Sequence, residues 1–565
     1  MSAIQVGPAS VAGPPGGRAV SDPALLRRAL RTRRRDLAAA SALFSLHQLG
    51  EALVPVIIGA TVGRAVDRGG VGAIAGWLAV LGADFLLLSM AFRFGARASV
   101  RARQHTAHQL RMWLTARVLR ETGGADRLPG ELLSRASSDA ERAGAFAGFL
   151  ARLVSAVVVL VGATVLLLLV DAVLGLTILG GTVVLLVAQS RVAALLQRRS
   201  AVEQGRQAQA TALAADLIRG HRVLAGIGAE ATAAASYAAA SRDAVRAARH
   251  SASAQGLLGA VAALLTGLYL ALVAAIGGRS ALNGELGIGE LVAALGLAQF
   301  VIGPMRGLSQ ANAAYARAVA SVGRIREVLS SPDAVVAGSG TSAGPGLVEL
   351  DRVRIGGVPL DVRIEAGSLT GIVCEDPATA TALTGLLARE ADPAAGEIRL
   401  DGRPLGSLSL ADLRGRLLVS RHDTVLFPGT IGENLAALGG PVDRAVHAAF
   451  ADQVLTTVAH GADTSVGDLG ETLSGGQGQR IALARVLAAD PPVLVLHDPT
   501  TAVDAATENL VAERVRDLRR GRTTVVVTTS PAWLSRCDQV IFEGRAGTHD
   551  DLLGERSDYA ELVAR

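Results

Sequence analysis

The sequence predicts a chain in two parts: an α-helical membrane domain with six transmembrane helices, followed by an α/β domain built on a largely parallel sheet. Three observations predict it. A chain of 565 residues exceeds what one hydrophobic core organises. Half of its residues are apolar and only 19% are charged, with a mean hydropathy of +0.39, too apolar for an ordinary soluble protein. The apolar runs also change character along the chain, long before Gly303 and short and β-branched after Leu347.

Taken in order, residues 1 to 21 are rich in Gly, Pro and Ala and read as a disordered tail. Leu25 to Leu37 carries Arg27, Arg28, Arg31, Arg33, Arg34 and Arg35 and reads as a basic helix in the membrane interface. Apolar runs follow near Leu43 to Val66, Val71 to Phe94, Leu153 to Val170, Ala172 to Gln189, Leu257 to Ile276 and Ile288 to Gly303. Each approaches the roughly 20 residues a helix needs to cross a bilayer. The connections Asp67 to Gly70, Asp171 and Arg279 to Gly287 are short. Arg97 to Arg152 and Arg191 to Gln255 are long and Arg-rich, which places them in the cytoplasm together with the N-terminus. Read as helix pairs, they extend roughly 40 Å below the membrane.

Arg306 to Leu329 continues as an amphipathic helix, and the Pro-, Gly- and Ser-containing stretch Ser331 to Gly346 reads as a linker. The expected divisions are therefore 1–37, 38–330, 331–346 and 347–565. In the last of these, Leu369 to Val373, Arg416 to Ser420, Val493 to Leu496 and Thr523 to Thr528 are strand candidates separated by helical stretches.

Charge and cysteine usage exclude other classes. The net charge of +5 comes from Arg spread through the loops, without the interleaved aromatics of a nucleic-acid surface. The chain contains no Lys at all. Its two cysteines, Cys374 and Cys537, both fall in the α/β part, so no disulfide framework is implied. No early apolar stretch with a small-residue cleavage site is present, so the spans themselves are expected to direct insertion into the cell membrane.

One motif carries chemistry. Leu473-Ser474-Gly475-Gly476-Gln477, continuing through Gly478, Gln479, Arg480, Ile481, Ala482, Leu483, Ala484 and Arg485, sets a hydroxyl and glycine amides just before a helix, an anion cradle. It resembles the signature motif of ATP-binding cassette (ABC) transporters. Further stretches resemble that family in order: Asp401-Gly402, Asp423 to Phe427 with Glu433-Asn434, Val466-Gly467-Asp468, and Thr548-His549-Asp550. Leu128 to Arg135 with Asp139, and Asp216 to Glu230, look like the intracellular loops of its exporters. The resemblance implies an exporter-type six-helix domain fused to a nucleotide-binding domain of P-loop NTPase type.

The sequence departs from the family where nucleotide would be handled. A phosphate loop of the form GxxxxGK[ST] wraps phosphates with amides and delivers a Lys charge. Here the stretch is Cys374-Glu375-Asp376-Pro377-Ala378-Thr379-Ala380-Thr381. Ala380 replaces Lys, Pro377 removes a donor, and Glu375 and Asp376 add negative charge. His497 and Asp498 stand where the family has a magnesium-side Asp and a general-base Glu. His422 aligns with the magnesium-sensing Gln and Thr529 with the switch His, while no adenine-stacking aromatic lies near Arg354 to Gly357. A metal role for His422 and His497 is the exotic alternative to solvated or packed histidines.

What the family uses on the opposite subunit is kept: Ser474, Gly475, Gly476, Gln477 and Asp504. The resemblance thus implies the non-catalytic half of a heterodimeric exporter, paired with a second ABC half-transporter whose Walker A and B motifs are intact and which holds most of the ATP and Mg2+. The rival expectation is a hydrolysis-independent scaffold or regulatory homodimer. Glu51 and Asp84 fall within the first two spans, where ionisable groups are costly unless they face a cavity or pair, and are candidates for the substrate path. His47, one turn before Glu51, shares its face. The cargo, whether small molecule, lipid or peptide, is not specified.

Overall fold

The structure, a computed structural model, describes residues 21–68, 71–125, 127–355, 358–422, 425–467 and 470–564. The N-terminal tail, Asp423-Thr424, Asp468 and Gly356-Gly357 therefore lie outside the described residues. The chain divides into two compact units. One contains the residues up to Arg117 and Arg127–Ser330, the other Val118–Asp126 and Ser331–Arg565.

The first unit is helical: α1 (Asp22–Arg31), α2 (Arg34–Arg68), α3 (Val71–Val118), α4 (Pro129–Ser134), α5 (Ala140–Val170), α6 (Ala172–Arg219), α7 (His221–Gly226), α8 (Glu230–Leu282), α9 (Ile288–Ser309) and α10 (Ala311–Leu329). Among the described residues, five helical stretches are long and apolar enough to cross a membrane, and Ala172–Ala188 at the start of α6 is a shorter apolar one. The long Arg-rich connections are continuations of the spans. α3 and α6 each run 48 residues and α8 runs 53, roughly 70 to 80 Å at about 1.5 Å per residue. Exposed Leu86, Val161, Val184 and Leu264 are the surface a bilayer would cover.

Small residues let spans approach closely. A Cβ added at Gly59 would come 2.2 Å from the Gly289 carbonyl oxygen, and one at Gly296 would meet Pro55 at 2.3 Å. α2 and α9 thus pack backbone against backbone, where dispersion replaces the hydrophobic drive that lipid cannot supply.

The basic N-terminal helix lays its apolar face on protein. Leu25, Leu26 and Ala29 of α1 are fully buried with Leu110, Trp113, Val322 and Ile325, so its apolar face covers α3 and α10. Asp22 pairs with Arg326, and the Arg28 guanidinium lies 5.7 Å over the Trp113 ring. The three apolar positions Leu25, Leu26 and Ala29 are thus satisfied by protein. Nearby, buried Asp139, at the end of a π turn (Arg135–Asp139), accepts from Arg324 Nε at 2.9 Å.

The second unit holds two sheets. β1 (Val348–Ile355), β2 (Val358–Ile364), β4 (Glu397–Leu400) and β5 (Arg403–Pro404) form an antiparallel sheet in the order β2-β1-β4-β5. β3 (Leu369–Val373), β6 (Leu417–Ser420), β7 (Val493–His497), β8 (Thr523–Val527), β9 (Gln539–Phe542) and β10 (Arg545–Gly547) form the larger sheet, ordered β10-β9-β3-β8-β7-β6. All its pairings are parallel except β10 with β9. The central strands β3, β7 and β8 are buried throughout, on both faces, which is why their sequences are dominated by apolar and β-branched residues. Helices α11 (Pro377–Leu387), α12 (Leu410–Arg416), α13 (Ile431–Ala436), α14 (Val442–Ala448), α15 (Ala451–Thr457), α16 (Gly475–Ala488), α17 (Ala505–Leu518), α18 (Pro531–Leu534), α19 (His549–Glu555) and α20 (Ser557–Val563) complete the unit.

The stretch Ser331 to Gly346 is pinned rather than loose. Buried Arg389 donates to the carbonyls of Val336, Gly406 and Leu408, and the Asp401 carboxylate accepts from the amides of Gly346 and Leu347 at 2.7 and 2.9 Å. Asp401-Gly402 therefore acts as an anchor. The amides of Ala334 and Val335 donate to the Thr122 carbonyl, and Arg414 donates to that of Glu121, which ties Val118–Asp126 to this unit.

Candidate functional site

In open α/β sheets, ligands bind outside the carboxyl ends of the strands. Here β3 ends at Val373, β6 at Ser420, β7 at His497 and β8 at Val527, with Ile372 beside Val527, Val527 beside His497 and Leu496 beside Ser420. The following residues are Cys374 to Asp376, His422, Asp498 and Thr529, so the topology brings the residues aligned with the family's own-site motifs to one end of the sheet. The His422 and His497 rings lie 5.8 Å apart, and His497 Nε2 is 3.8 Å from Asp498 Oδ2. Among the described residues, no group of three or more His, Cys, Asp or Glu is placed to hold a metal ion. Asp498 has a left-handed backbone, φ 45°, a conformation Asp tolerates better than most residues.

The loop after β3 is where structure adds most to sequence. α11 begins at Pro377, so half of the four-residue cradle between Cys374 and Thr379 is already helical. Pro377 has no N–H. The Ala378 amide donates to Asp376 Oδ1 at 3.0 Å, and those of Thr379 and Ala380 donate to the Asp376 carbonyl at 3.0 and 3.3 Å. Thr381, at the position of the motif's magnesium-binding hydroxyl, turns that hydroxyl back onto the Pro377 carbonyl at 3.0 Å. Ala380 is itself buried. Burial, with Asp376 and Asp498 nearby, pushes the Cys374 thiol up to about 11, so it stays protonated at neutral pH.

The signature end is built differently. Ser474 caps α16: its Oγ accepts from the Gln477 amide at 3.3 Å, while the Gln477 Oε1 accepts from the Ser474 amide at 2.9 Å. Gly475 and Gly476 are the first helical residues, whose amides have no intrahelical acceptor. Ser474 and Gly475 are exposed. Gly476 must be glycine, because a Cβ there would come 2.5 Å from the Ala502 carbonyl oxygen. Gln479, a residue the motif reading left without a role, donates to Thr501 Oγ1 and accepts from the Ala502 amide, both at 2.8 Å. The signature is thereby fixed to the turn leading to Asp504. Asp504 caps α17, and hydrogen bonds from Thr507 hold its carboxyl below the usual range.

Within the first unit a cavity of 780 Å³ is lined by Phe44, His47, Glu51, Phe92, Arg103, Arg152 and Arg306, among others. His47 Nε2 lies 3.9 Å from Glu51 Oε2, and Gln48 Nε2 donates to that same oxygen. Asp84 does not line this cavity. It is buried against the Gly50 turn, and among the described residues its Oδ2 finds no hydrogen-bond partner. The arginines were missed in the sequence because Arg152 and Arg306 sit at the ends of apolar runs, where basic residues ordinarily mark only the membrane boundary.

Comparison with known proteins agrees with this architecture. Residues 37–305 match the ABC transporter transmembrane region and residues 358–501 the ABC transporter domain. The chain is 29% identical over 479 residues to an ATP-dependent lipid A-core flippase of Xanthomonas euvesicatoria pv. vesicatoria (strain 85-10), covering 81% of each. It is 32% identical over 325 residues, 54% of each chain, to an ATP-dependent lipid A-core flippase of Alkalilimnicola ehrlichii. The solved structure of a bacterial Atm1-family ABC exporter with ATP bound superposes with a TM-score of 0.77 at 25% identity, covering 94% of this chain and 98% of that one. The chain belongs to the ABC transporters, as an exporter-type half-transporter with membrane and nucleotide-binding domains fused. It is a multi-pass membrane protein whose nucleotide-binding domain is cytoplasmic.

Proposed function

We propose that this chain is the non-catalytic half of a heterodimeric ABC exporter. It supplies half of the membrane pathway and the signature that completes the partner's ATP site. The observation that carries this reading is the loop after β3: no Lys, a Pro in place of a donor, and amides committed to Asp376. The partner accordingly provides the phosphate-loop Lys, the magnesium Asp, the base Glu and the switch His, and holds ATP and Mg2+.

The cavity supports an anionic amphiphile as cargo, since aromatic rings (Phe44, Phe92, Phe300) and three arginines line the same space. That agrees with the lipid substrate in the names of the flippases above. Glu51→Gln and Arg152→Gln are expected to change substrate-stimulated ATPase of the pair while the pair still assembles; unchanged stimulation in both would remove the cavity from the path. Asp84→Asn, away from the cavity, is expected to affect folding yield instead.

The decisive measurement is magnesium-dependent ATP hydrolysis by the purified chain alone and with its partner. Background turnover alone and robust turnover in the pair is the expected result. Robust turnover of the chain alone, abolished in Asp498→Asn, would overturn the reading.

A further inference from the structure

In the family's head-to-tail arrangement two nucleotides lie between the two nucleotide-binding domains. On the reading just proposed, one of these positions is formed by the loop after β3 of this chain and the signature of its partner. The question is whether ATP binds there without being hydrolysed, or does not bind at all.

Phosphate recognition at such a loop requires free N–H groups converging on the anion, a positive charge, and a hydroxyl for magnesium. This loop offers none of them: it has no Lys, and the amides that open α11 and the Thr381 hydroxyl bond within the chain. Of the four residues that open α11, Pro377 has no donor, Ala378 gives its amide to the Asp376 carboxylate, and Thr379 and Ala380 give theirs to the Asp376 carbonyl. The Asp376 side chain thus sits as an internal anion where an external one would be drawn. The Thr381 hydroxyl is bonded to Pro377. Asp376 and Asp498 both lie near enough to raise the Cys374 thiol, and Glu375 stands between Cys374 and Asp376 in the loop, so the negative charge there disfavours an incoming phosphate.

We infer that this chain's own nucleotide position is closed by Asp376 and stays empty, so that the working complex holds one ATP rather than two. The domain interface on that side closes by protein contact alone. Each transport cycle then consumes a single nucleotide, and the half-site built on Cys374 to Thr381 is a strut, not a slow or regulatory ATP site.

The test is photolabelling of the purified heterodimer with radiolabelled azido-ATP and magnesium at concentrations up to about 1 mM, where a site of millimolar affinity would be half filled. The label is read separately on each subunit. Label confined to the partner is the expected result. Saturable label on this chain, competed by unlabelled ATP, overturns the inference. The variant Asp376→Gly/Pro377→Gly/Ala380→Lys reopens the loop and is expected to become labelled, which shows that the probe can report on this chain. If it assembles and stays unlabelled like the wild type, Asp376 is not what closes the position and the inference also falls. Label on this chain without turnover by it would sink the empty-site inference alone; turnover by the chain on its own would sink the non-catalytic reading with it.

Discussion

Helices α11 and α16 both open on a residue whose side-chain oxygen caps the first turn, yet they present opposite surfaces to an anion. At α11 the cap is a carboxylate, the next residue is proline, and the three amides after it bond to Asp376. At α16 the cap is a hydroxyl, and two glycine amides precede the one it binds. The difference teaches that a helix N-terminus is an anion site only while its donors remain uncommitted; the helix dipole alone does not make one.

The comparison breaks most visibly at α16. On the proposed reading, Ser474→Arg or Gly475→Glu is expected to lower ATPase of the pair by about 10²-fold or more, the scale of removing a donor aimed at transition-state charge, although the altered chain would itself hydrolyse nothing. Steady-state turnover of the pair checks it, and unaltered turnover would remove the case for action in trans.

At the α11 end, the Cys374 thiol at about 11 lies two units above its ordinary value of 9.0. Alkylation by iodoacetamide near pH 8 is therefore expected to run on the order of a hundredfold slower than for a free thiol, speeding up as pH rises through the raised value. Mass-spectrometric rates for Cys374 in the Cys537→Ser background test this.

Removing the cap should loosen α11 modestly. Asp376→Ala is expected to cost about 1 kcal/mol, read as roughly fivefold faster hydrogen exchange of the α11 amides while α16 is unchanged. The smallest expected effects come from Ala380→Ser and His497→Ala, which should leave ATPase of the pair within about twofold if only the partner's site turns over. A loss there equal to that of the Ser474 variant would erase the asymmetry between the two ends.

Much of this was legible in sequence. The spans, the parallel strands and the signature are patterns of residue type at short spacing, and the fold places them as those patterns imply. The gathering of Cys374, His422, His497 and Thr529 was legible only through family resemblance, because four separate strands bring them together. Other features depend on contacts that sequence does not display. The start of α11 at Pro377 follows from Asp376 acting as a cap, an effect that competes with loop geometry. The placement of α1 depended on which surface took its three apolar residues. The fixing of residues 331–346 depended on Arg389, more than forty residues away in sequence from its Val336 acceptor. Asp84 and Glu51 look equivalent as span carboxylates, and only packing puts Glu51 on the cavity wall and buries Asp84 against Gly50.

Gln479 grips both Thr501 and the Ala502 amide, and Gly476 rests its bare Cα against the Ala502 carbonyl. Ser474 and Asp504 are consequently two jaws of one stiff caliper, with no slack between them. On the proposed reading, a nucleotide held by a partner would meet both jaws together, and a mutation in Gln479 would act like play in a hinge, letting one jaw shift against the other without touching the nucleotide.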